Sequence, residues 1–265
     1  MTEDEPRPNG AAAREQPSVG ASANPAPSRS APARDPRAAK GTAKDDRQEG
    51  APAHPLVSVD VVILTMRKRH LEALLFKRKH WPYEGMWAIP GGFVSADESL
   101  EDAARRELEA IAGVRDVYLE QLYTFGDPQR DPRARVITVV YYALIRADEL
   151  PGGATDDATE SAWFPVSALP PLAFDHDDIL AYTMQRLRGK LEYTTIGYQL
   201  LAPEFTLSEL QEVYEAILDR PRDKRNFRKK MLSTGILEQT SHTRKTGQHR
   251  PAALYRFSPR AERGA

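Results

Sequence analysis

The sequence predicts an α+β fold: a mixed sheet between helices, followed by a smaller basic unit of two helices and a strand, loop and strand. Three observations lead there. Runs rich in Val and Ile, with strand character, alternate with helical signals between residues 56 and 190. A capped amphipathic helix, a break and a second, basic helix follow Thr206. The charge also changes sign, with 21 acids and 16 bases in 56–190 but 9 acids and 13 bases in 191–265.

The first 55 of 265 residues hold no aromatic side chain and, apart from Met1, a single large aliphatic, Val19. Such a stretch buries too little to offset its ordering entropy, so 1–55 is expected to be a disordered tail. The rest exceeds a typical domain of roughly 150 residues. A 40% hydrophobic composition can build cores, and two units are expected, 56–190 and 191–265, meeting near Lys190. From Val57 to Met66 and from Leu71 to Phe76 the chain reads as two strands joined by the polar turn Arg67 to His70. Trp87-Ala88-Ile89 forms a third element running into Pro90-Gly91-Gly92, and a helix from about Ser99 to Ala112 stops at Gly113. Strands are expected near Tyr118 to Thr124 and Val136 to Ile145, a turn at Gly152-Gly153, and a last short strand at Trp163-Phe164-Pro165. His176 to Lys190 carries helical spacing at Ile179, Leu180, Met184 and Leu187.

In the second unit, Thr206-Leu-Ser-Glu209 is a capping box opening a helix through Leu210, Val213, Tyr214 and Ile217. After Asp219-Arg220-Pro221, Asp223 can cap a second helix, Lys224 to Leu232. Phe227 and Met231 face inward there, leaving Lys224, Arg225, Arg228 and Lys229 outward with Asn226 near the first turn, as in a basic recognition helix behind a support helix. Ile236-Leu237, a polar stretch with His242, Arg244, Lys245, Gly247 and Arg250, and a return strand Ala253 to Phe257 make a wing. Residues 220–256 hold eleven Lys or Arg against only Asp223 and Glu238, which points to nucleic acid. Arg225, Asn226 and Arg228 are the candidates for base edges; Lys224, Lys229, Arg244, Lys245 and Arg250 are the candidates for phosphates.

Cysteine is absent, which excludes disulfide scaffolds, thiolate zinc sites and thiol nucleophiles and fits a reducing cytoplasm. The longest apolar run, Val136 to Ile145, is about half of a ~20-residue membrane span. The N-terminus, Glu3-Asp4-Glu5-Pro6, lacks the basic start and apolar stretch of a secretion signal. A soluble, cytoplasmic protein with no membrane partner is expected.

Gly92-Phe-Val-Ser-Ala-Asp-Glu98, then Arg106-Glu107-Leu108 and Gly113-Val114, resembles the Nudix hydrolase signature G-x5-E-x7-R-E-U-x-E-E-x-G-U, with U a bulky aliphatic. Seven positions fall in register, and the preceding Trp87 to Gly91 is similar as well. The match fails where the signature has its paired Glu: this chain has Ala110 and Ile111. At ~100° per residue, positions 107, 110 and 111 share one helix face, where three carboxylates can gather divalent metal for pyrophosphate cleavage. Only Glu107 remains, and Glu109 points about 200° away. One carboxylate is a poor magnesium site, so no catalytic residue, no metal ligand and no required cofactor are expected, and Glu107 is expected to pair with a nearby arginine.

Phe125-Gly-Asp-Pro-Gln-Arg-Asp-Pro-Arg-Ala-Arg135 and the strand after it resemble the ADP-ribose pyrophosphatase branch of that family. Arg130, Asp131, Arg133 and Arg135 suit a diphosphate and ribose hydroxyls, and Trp87, Phe125 or Phe174 can stack on adenine. Arg78 is a further phosphate candidate, and Gly91, Gly92 and Glu107 complete the expected effector set. His176, after Phe174-Asp175, either caps its helix or touches ligand, with the cap favoured.

Phe205-Thr-Leu-Ser-Glu-Leu-Gln and Arg225-Asn-Phe-Arg-Lys-Lys-Met231 extend the likeness, so that about 56–258 resembles the Nudix-related transcriptional regulators of NAD metabolism. The resemblance implies a Nudix fold followed by a winged helix-turn-helix. It also implies a homodimeric repressor of NAD biosynthesis or salvage genes on a near-palindromic double-stranded operator, with ADP-ribose or NAD as effector. An active ADP-ribose or nucleotide-sugar pyrophosphatase with a basic accessory domain is the alternative. An RNA-binding module lacks its usual aromatic platform or GxxG loop.

Overall fold

The computed structural model describes residues 54–150, 161–245 and 251–258. The tail up to residue 53, the Gly152-Gly153 turn, Gly247 and Arg250 lie outside the described residues. β1 (Leu56–Arg67) and β2 (His70–Lys77) form a hairpin whose two turn residues, Lys68 and Arg69, take positive φ of 47° and 68°. That is the backbone twist a two-residue hairpin turn requires. β3 (Trp87–Ala88) extends the sheet beyond β2, whereas β4 (Gly91–Phe93) turns back onto β1. β5 (Tyr118–Phe125), β6 (Val136–Ile145) and β7 (Ser161–Pro165) complete a sheet of order β3-β2-β1-β6-β5, with β7 on β2. Among the described strands β1 and β6 pair in parallel and the other ladders are antiparallel, which makes the sheet mixed as expected.

Side chains alternate across β1: Val59, Val61 and Ile63 join the apolar cluster under α1 (Leu100–Ala112), while Val62 and Leu64 join the cluster under α2 (His176–Tyr193). Nearly all of β6 is buried because both its faces are covered. Ser99 accepts a hydrogen bond from the Asp102 N–H at the start of α1, and Gly113 ends it at φ 69°.

α2 runs past Lys190 to Tyr193, and a 3-10 turn (Ile196–Leu200) leads to α3 (Leu207–Leu218), α4 (Lys224–Ser233), β8 (Leu237–Arg244) and β9 (Ala252–Phe257). The capping box is formed: Thr206 Oγ1 accepts from Glu209 N at 3.2 Å and Glu209 Oε2 accepts from Thr206 N at 2.7 Å. Asp223 caps α4 through Asn226 N, and Phe227 and Met231 are buried. The hairpin differs from expectation. β8 extends to Arg244, so His242 and Arg244 are strand residues and not loop residues. The ladder to β9 continues through Thr243 and Arg244, and a strand open to solvent tolerates the polar side chains that read as loop.

One apolar cluster runs from Val62 and Leu64 in the sheet through Ile179, Leu187 and Leu191 in α2 to Leu210, Phe227 and Tyr255. The described parts on either side of α2 thus share a core within one compact unit. Among the described residues no helix is long and apolar enough to cross a membrane.

Candidate functional site

Beside the β1 and β6 pair lies a cavity of about 260 Å³, lined from β1 (Ser58, Asp60), the end of β2 (Phe76, Arg78), β4, the loop before β6 and the start of α2. At its floor the Arg130 guanidinium is buried between two carboxylates. Nε and Nη2 donate to Asp175 at 3.0 and 2.8 Å, and Nη2 also donates to Asp60 at 3.4 Å. Beside them His176 Nδ1 accepts a 2.9 Å hydrogen bond from the Ile89 N–H. Because a backbone N–H can only donate, Nδ1 carries no proton. Burial pushes the His176 pKa down to about 3, with the Arg130 and Arg78 charges acting the same way against Asp175. The ring is neutral near pH 7. Burial raises the Asp60 pKa, opposed by Arg130 and Thr138.

The two glycines of β4 are required by close approach. A Cβ at Gly91 would overlap the Asp60 carboxylate, and one at Gly92 would overlap the Glu107 carboxylate. At the mouth, Phe174 sits at φ 58° with the Arg78 guanidinium 4.7 Å and the Arg133 guanidinium 5.7 Å from its ring centre. Arg133 is oriented by Asp131 through Nη2 at 2.7 Å and Nε at 3.0 Å, and Arg78 Nε donates to the Pro82 carbonyl at 2.8 Å. Two guanidiniums over a polar, buried floor are the kind of donors that suit an anionic, hydroxyl-bearing ligand.

The cavity therefore gathers Arg78, Gly91, Gly92, Arg130, Asp131, Arg133 and Phe174 from the expected set. Four others lie elsewhere. Trp87 packs edge-on against Phe164 at 4.8 Å, and Phe125 belongs to an aromatic group with Tyr123 and Tyr182. Arg135 Nη1 donates to the carbonyls of Asp127 and Val136, and Glu107 pairs with Arg106 at 2.5 Å. Arg130 and Asp131 reach the lining in altered roles: one is spent on two carboxylates and the other on Arg133. His176 does not cap α2, whose N-cap residue is Asp175; it faces the cavity and holds Ile89. Asp60 and Ser58 were missed, although a lone acid inside the apolar run Val57 to Met66 was a readable signal.

Just before α1, Glu98 accepts from Arg106 Nη2 at 2.7 Å and from Ser95 N at 2.8 Å, which holds its pKa down to about 2. Arg106 also donates to the Phe93 carbonyl at 3.2 Å, stitching the loop to the helix. Ala110 is exposed, and Ile111 packs into the apolar cluster beneath α1. Among the described residues no three His, Cys, Asp or Glu side chains gather as metal ligands.

A second surface is formed by α4. Lys224, Arg225, Asn226, Arg228 and Lys229 are all exposed, and among the described residues none of these cations makes an ion pair. Neighbouring arginines do. Arg256 pairs with Glu238, and Arg244 donates to Glu209 at 2.6 Å and to the Glu204 carbonyl at 2.9 Å. Arg244, expected on phosphate, is thus tied to the start of α3, whereas Lys245 is exposed at the hairpin end.

Fold and site define a Nudix domain joined to a winged helix. A NUDIX domain model matches residues 54–186, and the model of the NrtR DNA-binding winged helix domain matches 197–257. The ADPR responsive transcriptional repressor NtrR of Acinetobacter baylyi is 39% identical over 208 residues, which is 77% of this chain and 82% of that protein. Shewanella oneidensis NrtR complexed with a 27mer DNA matches with a TM-score of 0.70 at 34% identity, over 78% of this chain and 96% of that one. The ADP-ribose pyrophosphatase of Methanocaldococcus jannaschii is 38% identical over 136 residues, 51% of this chain and 77% of its own. The chain belongs to the NrtR family, and the expected fold class and family resemblance hold.

Proposed function

We propose that this chain is a cytoplasmic, DNA-binding transcriptional repressor of NAD biosynthesis or salvage genes, and that it senses ADP-ribose or NAD without hydrolysing it. The observation that carries the reading is the unpaired basic face of α4, which shares one core with a pocket built for an anion. The similarity to the Acinetobacter repressor and to the Shewanella protein with DNA supports both halves.

In the pocket, Arg78 and Arg133 hold the diphosphate, Phe174 keeps the two guanidiniums in place, and Asp131 orients Arg133. Asp60 and the main chain of Gly91 and Gly92 meet ribose hydroxyls, and Arg130 and His176 maintain the floor. At about 260 Å³ the cavity is smaller than ligand pockets of roughly 300 to 1,000 Å³, so it receives one end of the ligand and the rim holds the rest. Hydrolysis is absent because Ala110 and Ile111 supply no oxygen beside Glu107.

On α4, Arg225, Asn226 and Arg228 read base edges, and Lys224, Lys229 and Lys245 hold phosphates. Two copies form a homodimer with helices in successive major grooves of a near-palindromic site, roughly 34 to 36 Å apart. The test is a titration of a duplex selected from a random pool by the protein, with and without ADP-ribose or NAD. Ligand is expected to weaken DNA binding by roughly 5 to 150-fold, and DNA to weaken ligand binding by the same factor. The pyrophosphatase reading, favoured by the Methanocaldococcus similarity, is tested by magnesium-dependent turnover of ADP-ribose. Turnover of order 1 per second or faster would establish it in place of the sensor.

A further inference from the structure

A second and larger cavity, about 600 Å³, lies between the end of α2, α3 and α4. We propose that it is a separate small-molecule site that takes a nucleoside phosphate. Three cations line it: Arg220 and Arg222 from the turn between α3 and α4, and Lys230 from α4. Among the described residues none of the three makes an ion pair or a side-chain hydrogen bond, and Arg222 Nε is buried without a partner. A buried, unpaired guanidinium N–H is a cost that an anion beside it offsets.

The Arg222 main chain is held from both sides. Gln211 Nε2 donates to the Arg222 carbonyl at 2.8 Å, and Arg222 N donates to Glu215 Oε1 at 2.7 Å. The Arg222 guanidinium stands 6.0 Å from the Tyr214 ring centre. Tyr193, 70% exposed, also lines the cavity. A cation therefore sits beside an aromatic ring, in a volume within the roughly 300 to 1,000 Å³ of ligand pockets. A phosphate neutralises the cations while the base stacks on tyrosine, whereas an apolar occupant would leave the charges unpaired. Glu192 is the one acid in the lining and leaves an excess of two positive charges. An occupant would bridge α2 to α4 and so fix the basic helix against the rest of the chain.

The site does not involve the cavity at Arg133, and its test is independent of that one. AMP, ATP and inorganic pyrophosphate are titrated calorimetrically into the full chain and into Arg222→Ala, Lys230→Ala and Arg133→Ala variants. Circular dichroism checks that each variant is folded, and Arg222→Lys serves as a charge-conserving rescue. Arg222→Ala and Lys230→Ala are each expected to weaken AMP or ATP binding about tenfold at a site that persists in Arg133→Ala, with pyrophosphate bound less tightly there than the nucleotides. No saturable nucleotide binding, or binding lost only in Arg133→Ala, overturns the proposal. DNA phosphate offers the same chemistry. If the two groove variants lower DNA affinity and its salt slope by about 1 each while no nucleotide binds, the groove is a backbone contact and the small-molecule site is refuted.

Discussion

At the residue scale, burial sets protonation at the floor of the first cavity. His176 is neutral in the folded chain with a pKa of about 3, against 6.5 when exposed. Between those values the unfolded chain takes up a proton that the folded chain refuses, so stability falls on acidification by up to about 1.4 kcal/mol per pH unit. Asp60, raised by burial, works the other way: above 3.8 the folded chain keeps a proton longer, so stability falls as pH rises toward its folded pKa. Arg130, Arg78 and Asp175 face the same imidazole and set the remaining field. Replacing His176→Asn keeps an acceptor for the Ile89 N–H and removes the titration. Its urea-unfolding free energy is expected to fall less steeply than that of the unmodified chain between about pH 7 and about pH 5. Parallel curves would show that His176 is not the titrating group. The two positions missing from the signature differ in the same physical way. Ala110→Glu is exposed and should change stability by less than about 0.5 kcal/mol, whereas Ile111→Glu forces a carboxylate into the cluster under α1 and should cost roughly 1 to 3 kcal/mol. Chemical denaturation of the two single variants checks the difference.

At the element scale, α4 divides its labour by face. Phe227 and Met231 anchor it in the core, so its exposed cations can be changed without unfolding the helix. Arg225→Ala is expected to cost about 1 to 3 kcal/mol on the selected duplex and to blur sequence preference. Lys229→Ala should weaken all sequences alike and lower the salt slope by about 1. Competition titrations at several salt concentrations separate the two, and intact specificity in both Arg225→Ala and Arg228→Ala would remove α4 from the reading surface. The elements were largely legible because their signals are local. Caps at Ser99, Thr206 and Asp223 and the stop at Gly113 act within a few residues. β8 was underread because its polar residues carry no apolar alternation, and only the ladder to β9 makes them a strand.

At the scale of the molecule, α2 links the two parts. Its Leu187 and Leu191 lie in the cluster that reaches both the sheet and α3, Arg188 Nε donates to the Ile217 carbonyl at 2.8 Å, and Arg69 on the β1–β2 turn meets Glu212 on α3 at 3.0 Å. Two parts sharing a core should unfold together. A single calorimetric transition is expected, with Leu191→Ala lowering it by the roughly 2 to 5 kcal/mol of a buried Leu truncation. Two resolved transitions would show that the parts are independent. A shared core also gives a ligand in the first cavity a mechanical route to α4, the condition any coupling between them needs.

By itself the sequence determined the α+β class, the order of the elements, the helix that carries Ala110 and Ile111 and the basic helix of the second unit, because periodicity, caps and fixed spacings are properties of neighbouring residues. Tertiary structure alone decided which of the named side chains meet. Asp60, Arg130 and Asp175 are 70 and 45 positions apart at their contacts, and no local pattern announces such a pairing. The same holds for Phe125, Trp87 and Arg135, whose chemistry suits a ligand but whose places on or beside the sheet turn them to aromatic neighbours or main-chain carbonyls. Residue type limits what a side chain can bind, and the crossing of distant strands decides what it reaches.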